Sequence, residues 1–342
     1  MQEIQLRARP EGSPKPSDFE LVNWVSPTLS NGEVLVEVAC FSLDPYMRGR
    51  MDDAKSYSAP VALGQRMEAG GAGRVVESKS DILQPGDYVF AMTGWATHAV
   101  LSDKLVRKLD IAPEYLSQAL GVLGMPGFTG WFGLNEHGRP KPGETLVVAA
   151  ATGPVGSMVG QLAKRAGLRV IGIAGTDQKC QIALNEFGFD HCINHRKFEN
   201  AKDLRREVSQ YAPNGVDVYF ENVAGPVLEA LLPMLNVHAR VPVCGMISWY
   251  NAGRLGGDAL TEALSAPKIW RTILVNRLSV SGFIISDHWD QFPTFLREVA
   301  PLVNEGTIRY IEDVTVGLER APETFIGMLN GQNQGKTVIK IR

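Results

Sequence analysis

The sequence predicts an α/β protein: a doubly wound parallel-sheet domain inserted into a β-rich domain built from both ends of the chain. Three observations predict it. Residues 1–125 are short apolar runs cut by Gly and Pro, the punctuation of strands and turns. From residue 126, buried strand-like runs alternate with helix-like segments, the pattern of a parallel sheet covered on both faces. Beyond residue 304 the β-rich texture returns. The domain boundaries are therefore 1–125 plus 305–342 for the β-rich domain and 126–304 for the insert. A length of 342 residues agrees with roughly two domains.

In the first region "GEVLVEVACFSLDP", "GAGRVVES" and "PGDYVFAM" read as strands bounded by turn residues. In the insert, "ETLVVAAA" (144–151) is a buried strand and "PVGSMVGQLAKRAG" (154–167) a helix ending on Gly. "LRVIGIAG" (168–175) is a strand and "DQKCQIALNEFG" (177–188) a helix. "HCINH" (191–195) is a short strand or loop, and "NAKDLRREVSQYA" (200–212) a charged helix. "GVDVYFENV" (215–223) is a strand, "PVLEALLPML" (226–235) a helix, "ARVPVCG" (239–245) and "RLSVSGFII" (277–285) strands. "FPTFLREVAPLVNEG" (292–306) closes the insert as a long helix.

Composition narrows the function. With 34 basic against 37 acidic residues, net charge −3, nothing selects for nucleic acid or an anionic membrane. Four isolated cysteines, with no Cys-x-x-Cys, suit a reducing compartment. The first residues lack an apolar core of a signal peptide, and no apolar run reaches the ~18–20 residues that span a bilayer. The expectation is a cytoplasmic protein. The absence of Gly-x-Ser-x-Gly removes an α/β-hydrolase.

The strongest motif is Ala151-Thr152-Gly153-Pro154-Val155-Gly156, between a strand and a helix. A dinucleotide fold needs a tight turn there, a Gly where the pyrophosphate approaches backbone, and a Gly where helix meets strand. The helix N-terminus then offers free N–H groups to the phosphates. Ala occupies the first Gly position. The next strand ends Ala174-Gly175-Thr176, without the carboxylate that would bind a ribose 2′-hydroxyl. That leaves room for a 2′-phosphate, and Lys179 lies just beyond, which favours NADPH. Asp177 is a counterweight; the bland alternative makes it a helix cap and Lys179 a solvated charge. His191 and His195, four residues apart, would be ~13 Å apart on a strand, too far to share a metal ion; on a helix they could share one, but so short a segment is a poor helix candidate.

The whole pattern resembles the medium-chain dehydrogenase/reductase superfamily over nearly the full chain, with a Rossmann domain inserted in a GroES-like one. Zinc enzymes of that family carry Cys and His ligands that this chain lacks: Cys40 runs into "FSLDPYMR", and Gly64-Gln65-Arg66 stands where Gly-His-Glu is expected. Zinc needs three protein ligands for catalysis and four for structure, so no metal is expected. Instead "LDPYMRGRM" (43–51), "ATGPVGSMVGQLAK" (151–164), "FENVAG" (220–225), "CGMISWYN" (244–251) and "GQNQGKTVIK" (331–340) resemble the zinc-independent ene-reductase branch. That branch holds prostaglandin and leukotriene reductases, plant alkenal double-bond reductases and bacterial NADPH-dependent curcumin reductases. The chain departs from it at "ENVAG", where Asp-Asn-Val-Gly-Gly is usual, and at His195, where a Tyr is usual.

The resemblance implies reduction of the carbon–carbon double bond of α,β-unsaturated ketones or aldehydes. Hydride goes to the β-carbon, and a donor stabilises the enolate. It implies that Thr152, Gly153, Pro154, Val155 and Gly156 hold the pyrophosphate, and that Lys179 and His195 meet the 2′-phosphate. Asn222, Cys244, Gly245, Ile247, Tyr250, Phe283, Ile284, Ile285 and Asn333 would line the cofactor. Tyr250 is the first candidate for enolate stabiliser or proton donor, or else a packed loop aromatic. Tyr46 and Arg48 would face the substrate, Arg48 being equally well a structural residue, and Tyr57 would line the substrate mouth. Loops 52–62 and 250–270 would shape that end. The strand "RLSVSGFII" resembles an edge through which such proteins pair as homodimers. The alternatives are a quinone reductase of the same family and a non-catalytic NADPH-binding protein.

The terminal Gly331-Gln-Asn-Gln-Gly-Lys-Thr337 imitates a phosphate-binding P-loop. It has three residues where that motif has four, and it runs from a helix into a strand, the reverse of a P-loop. Lys336 is therefore expected to have no part in phosphate binding.

Overall fold

The computed structural model describes residues 1–254, 257 and 266–341; the loop 250–270 thus lies partly outside the described residues. The chain divides into two compact units. Met1–Gly124, Tyr250–Asp258 and Glu312–Arg342 form the first, Met125–Trp249 and Ala259–Ile311 the second. Where the sequence suggested an unbroken insert, the stretch Tyr250–Asp258 groups with the unit built from the chain ends.

In the first unit β1 (Gln2–Leu6) and β2 (Phe19–Asn23) form an antiparallel pair. Five strands follow: β3 (Glu33–Ser42), β4 (Gly71–Ser78), β5 (Tyr88–Ala91), β6 (His98–Ser102) and β7 (Arg107–Lys108). A single helical turn, α1 (Tyr46–Arg50), leaves β3 at Pro45, whose φ of −58° is already helical. The core of this unit centres on Trp95, which is fully buried. It stacks on Phe19 at 5.4 Å between centroids and meets Phe325 edge-on at 5.5 Å.

The second unit opens with α2 (Met125–Phe132) and continues as β8 (Thr145–Ala149), α3 (Pro154–Arg165), β9 (Arg169–Ala174), α4 (Asp177–Asn185) and β10 (His191–Asn194). Next come α5 (Ala201–Tyr211), β11 (Val216–Phe220), α6 (Gly225–Leu231), β12 (Leu235–Val243), the one-turn α7 (Ile247–Tyr250), α8 (Ala266–Asn276), β13 (Ser279–Gly282) and α9 (Phe292–Asn304). The strands form one parallel sheet in the order β10-β9-β8-β11-β12-β13. Alternation along the strands sends Val147, Ala149 and Ile171 to one apolar core and Leu146, Val148 and Val170 to another. Both faces are therefore dry, which is why these strands read as unbroken apolar runs. Strand order reverses between β8 and β11: β9 and β10 are added on one side, β12 and β13 on the other. Ligands of such sheets bind at the carboxyl ends beside that switch.

Two elements differ from what the sequence predicts. The helix expected over 226–235 stops at Leu231, because Pro233 cannot supply a backbone donor. β12 therefore starts at Leu235, four residues early. The strand expected over 277–285 is only Ser279–Gly282, and Phe283, Ile284 and Ile285 leave the sheet into a short 3-10 helix.

The chain returns to the first unit as β14 (Glu312–Val316), α10 (Ala321–Leu329) and β15 (Lys336–Lys340). This completes a sheet in the order β14-β15-β3-β4-β5-β7, with β6 also on β3. Gly331, at φ 72°, ends α10, and the Gly-Lys-Thr run opens β15. Lys336 is 3% exposed. Its Nζ donates to Ser42 Oγ (2.5 Å), the Leu43 carbonyl (2.9 Å) and Asp44 Oδ1 (2.6 Å), using all three protons. The resemblance to a P-loop ends there: this lysine locks the last strand onto the end of β3. No helix among the described residues is long and apolar enough to cross a membrane. Lys336→Met, which strands a buried carboxylate, is expected to cost about 3–5 kcal/mol in urea unfolding; a loss under about 1 kcal/mol would contradict the anchor.

Candidate functional site

The turn after β8 is tight. Ala150 sits at φ 52°, and its carbonyl accepts from Gly153 N at 3.0 Å. A Cβ on Gly156 would stand 2.3 Å from that carbonyl oxygen, so only Gly fits where α3 packs on the turn. Ala151 is accommodated at the first motif position because Gly172 on β9 leaves room: a Cβ there would lie 2.8 Å from the Ala151 methyl. Pro154 occupies the first turn of α3, which holds no acidic residue. The Thr152–Gly156 segment thus offers backbone, free of negative charge, at the end of β8.

At the ends of β9 and β10 the side chains are basic. Thr176 caps α4 by accepting from Lys179 N at 3.2 Å. Asp177 turns away, pairing with Lys197 Nζ at 2.8 Å and accepting from Asn194 Nδ2 at 3.1 Å. Those partners hold its carboxyl below the usual range. His195 and Arg196 converge on Gly175: a Cβ there would lie 3.4 Å from Arg196 Nε and 3.7 Å from His195 Nε2. Burial, then Arg196 and Lys179, pull the His195 imidazole below its ordinary pKa. Sequence reasoning missed Arg196; its signal was the run His195-Arg196-Lys197 directly after a strand.

The ends of β11 and β12 are pinned by Glu221, which is 2% exposed. Its Oε1 accepts from Val223 N (2.6 Å) and Ala224 N (2.8 Å), and its Oε2 from the Tyr219 hydroxyl (2.8 Å). Burial pushes its carboxyl up despite these donors. Asn222 Nδ2 donates to the Ala149 carbonyl at 2.9 Å, joining the ends of β11 and β8 across the switch point. Cys244 N and Gly245 N donate to the Glu221 carbonyl, and Ile247 N to that of Asn222. The Cys244 thiol is pushed up to about 12 by burial and by Glu221, so it is no nucleophile. Phe283, after β13, lies beside Phe132 (5.8 Å) and His137 (5.1 Å), and Ile284 and Ile285 follow it into the 3-10 helix. Because the strands are parallel, all these segments share one edge of the sheet.

The remaining candidates fall in the first unit. Tyr46 is held as a neutral phenol: burial raises its pKa, as do Asp44 and Glu68, against a smaller opposing effect of Arg50. Arg48, 1% exposed, faces inward, with Nη1 2.5 Å from Asp52 and Nη2 donating to the Gly12 carbonyl at 2.9 Å. Of the two roles open to Arg48, substrate contact or support, the geometry favours support. Arg50 lies between the tyrosines instead, 5.6 Å over the Tyr46 ring and 4.5 Å over that of Tyr57. Tyr250 is half-buried at the end of α7. Asn333 donates from Nδ2 to the Gly335 carbonyl at 2.8 Å, within the turn before β15.

Among the described residues no group of three or more His, Cys, Asp or Glu is disposed to hold a metal ion. His191 packs at a tilt against Tyr211, 4.1 Å between ring centroids, whereas His195 approaches Gly175.

Residues 2–109 match the family described as the N-terminal domain of oxidoreductase, and residues 154–301 the family described as zinc-binding dehydrogenase. The chain is 47% identical over 339 residues to an NADPH-dependent curcumin reductase of Escherichia coli, covering 98% of this chain and 95% of that protein. It is 36% identical to an NADP(+)-dependent 2-alkenal reductase of Nicotiana tabacum, covering 99% and 97%. A crystal structure of CurA in complex with NADPH from Vibrio vulnificus superposes with a TM-score of 0.93 at 43% identity, covering 100% of this chain and 99% of that one.

Ala224 sits at φ 66°, ψ −152°, a region that glycine alone enters easily. Ala224→Gly is therefore expected to raise unfolding stability by about 1 kcal/mol, strain relief outweighing the added chain entropy; a measured loss in chemical denaturation would contradict the strain.

Proposed function

The chain belongs to the medium-chain dehydrogenase/reductase family, and on that premise we propose that it reduces the carbon–carbon double bond of α,β-unsaturated ketones and aldehydes with NADPH. The observation that carries the cofactor choice is the basic cluster at Gly175. A carboxylate at that strand end would repel a 2′-phosphate; here His195, Arg196 and Lys179 gather, and Asp177 is engaged by Lys197. The names of the relatives support the reaction class.

NADPH supplies a hydride from its reduced nicotinamide. The chain's residues would bind and orient it: within Thr152–Gly156 the N–H groups of Val155 and Gly156, in the first turn of α3, would donate to the pyrophosphate, and the basic cluster would take the 2′-phosphate. Asn222, Cys244, Gly245, Ile247 and Phe283–Ile285 line the same sheet edge. Asn333 is proposed as the cofactor contact from the C-terminal segment. When hydride arrives at the substrate β-carbon, the electron pair of the double bond shifts and negative charge collects on the carbonyl oxygen. A phenol hydroxyl can donate to that oxygen, and Tyr250 takes this role, with Tyr46 as the second donor. Proton delivery to the α-carbon, from Tyr250 or water, completes the saturated product. Arg50, stacked on Tyr46 and Tyr57, positions both rings; Arg48 supports the turn behind them.

We further propose a homodimer through the free edge of the parallel sheet. β13 exposes Val280 there, and α8 exposes Trp270 (70%) and Leu274 (77%). Such apolar exposure on β13, the last strand of the sheet among the described residues, and on α8, which packs on β12, invites a partner. Sedimentation at micromolar concentration is expected to return the mass of two chains; the mass of one would overturn the dimer.

Two measurements test the activity. NADPH consumption is expected with short alkenals, aryl enones and curcumin-like diketones. Turnover of quinones without enones would make the protein a quinone reductase, and tight NADPH binding without any turnover would make it a binding protein. Tyr250→Phe is expected to lower kcat about 100-fold while NADPH affinity holds, the usual effect of deleting one oxyanion donor. A change under about threefold would assign the enolate to another group.

A further inference from the structure

The three basic residues after β10 have different partners. Lys197 pairs with Asp177, and Asn194 donates to the same carboxylate. Arg196 and His195 both approach Gly175: a Cβ there would stand 3.4 Å from Arg196 Nε, 3.5 Å from Cζ and 3.7 Å from His195 Nε2. The charged groups acting on His195 are Arg196 from its own turn and Lys179 from the first turn of α4. Both are cations, so in the free protein the imidazole has every reason to stay neutral.

We propose that His195 and Arg196 form a proton-linked clamp for the ribose 2′-phosphate: Arg196 grips it with permanent charge, and His195 acquires its proton only as the phosphate arrives. This rests on the NADPH reading above. A phosphate dianion brought beside these two side chains reverses the local field, so proton affinity at His195 rises on binding. The sign follows from linkage. The complex holds more proton than the free protein, so NADPH affinity falls as pH rises through the window between the two states. NADH lacks the 2′-phosphate and carries no such coupling. Arg196, ionised throughout, contributes at every pH.

The test is equilibrium binding of NADPH and NADH from pH 7 to 9, followed by nucleotide fluorescence. Below that range the phosphate itself protonates, near a pKa of about 6. NADPH affinity is expected to fall about 3–10-fold across the range while NADH stays flat. His195→Gln is expected to abolish the slope. Arg196→Gln is expected to weaken NADPH about 10–100-fold at every pH, the effect of a lost charge-assisted contact, and to spare NADH. A flat NADPH curve with NADPH still preferred, a slope that survives His195→Gln, or an Arg196→Gln variant with unchanged NADPH affinity overturns the clamp alone. Equal affinity for both nucleotides at pH 7 overturns the parent reading with it. Should Arg196→Gln lose NADH binding too, the wild-type pH series still decides.

Discussion

The second unit depends on one buried carboxylate. Glu221 satisfies two backbone donors of the turn after β11 and the Tyr219 hydroxyl. Removing it would orphan all three in a dry interior, where each unmet donor costs about 1–3 kcal/mol. Its grip holds Ala224 in a backbone region that alanine avoids. With the turn so held, the Glu221 and Asn222 carbonyls meet the 244–247 backbone, and the Asn222 side chain reaches the Ala149 carbonyl. The ends of β8, β11 and β12 are thereby tied beside the switch point. The strained alanine and the buried acid meet directly, Glu221 Oε1 accepting from Ala224 N at 2.8 Å, so the two departures at "ENVAG" lie in one turn.

The first unit solves another problem, how to close a domain made from both ends of a chain. Lys336 on the last strand reaches Ser42, Leu43 and Asp44 at the end of β3. That ion pair is buried, so its worth lies less in net energy than in specifying where the returning strand docks. It also braces the segment entering α1, which carries Tyr46 and Arg50. The same lysine that imitates a nucleotide-binding motif thus supports a catalytic candidate through the backbone.

Much of this was legible in the sequence. The alternation of apolar strands with helices predicted the parallel sheet, because both faces are covered and periodicity survives intact. The strand–turn–helix around Gly153 and Gly156 was legible because backbone crowding at the Ala150 carbonyl admits no other residue at Gly156. What resisted was side-chain direction. Arg48 and Arg50 are two residues apart, and only α1 decides that Arg48 turns to Asp52 while Arg50 meets Tyr46 and Tyr57. Asp177 reads in sequence as a charge against the 2′-phosphate, whereas in the fold Lys197, twenty residues on, engages it. Arg196 was hidden because its contact, Gly175, follows a different strand, β9. The helix after 225 is shorter than its apolar run suggests, because that run masks the break that Pro233 imposes.

The central claim is that hydride goes to the β-carbon of an enone rather than to its carbonyl. The direct measurement uses NADPH deuterated at the transferable position of its nicotinamide ring, with benzylideneacetone as substrate and NMR of the product. The account predicts the saturated ketone with one deuterium on the β-carbon and none from the cofactor on the α-carbon. Deuterium on a carbinol carbon, the product of carbonyl reduction, would contradict it.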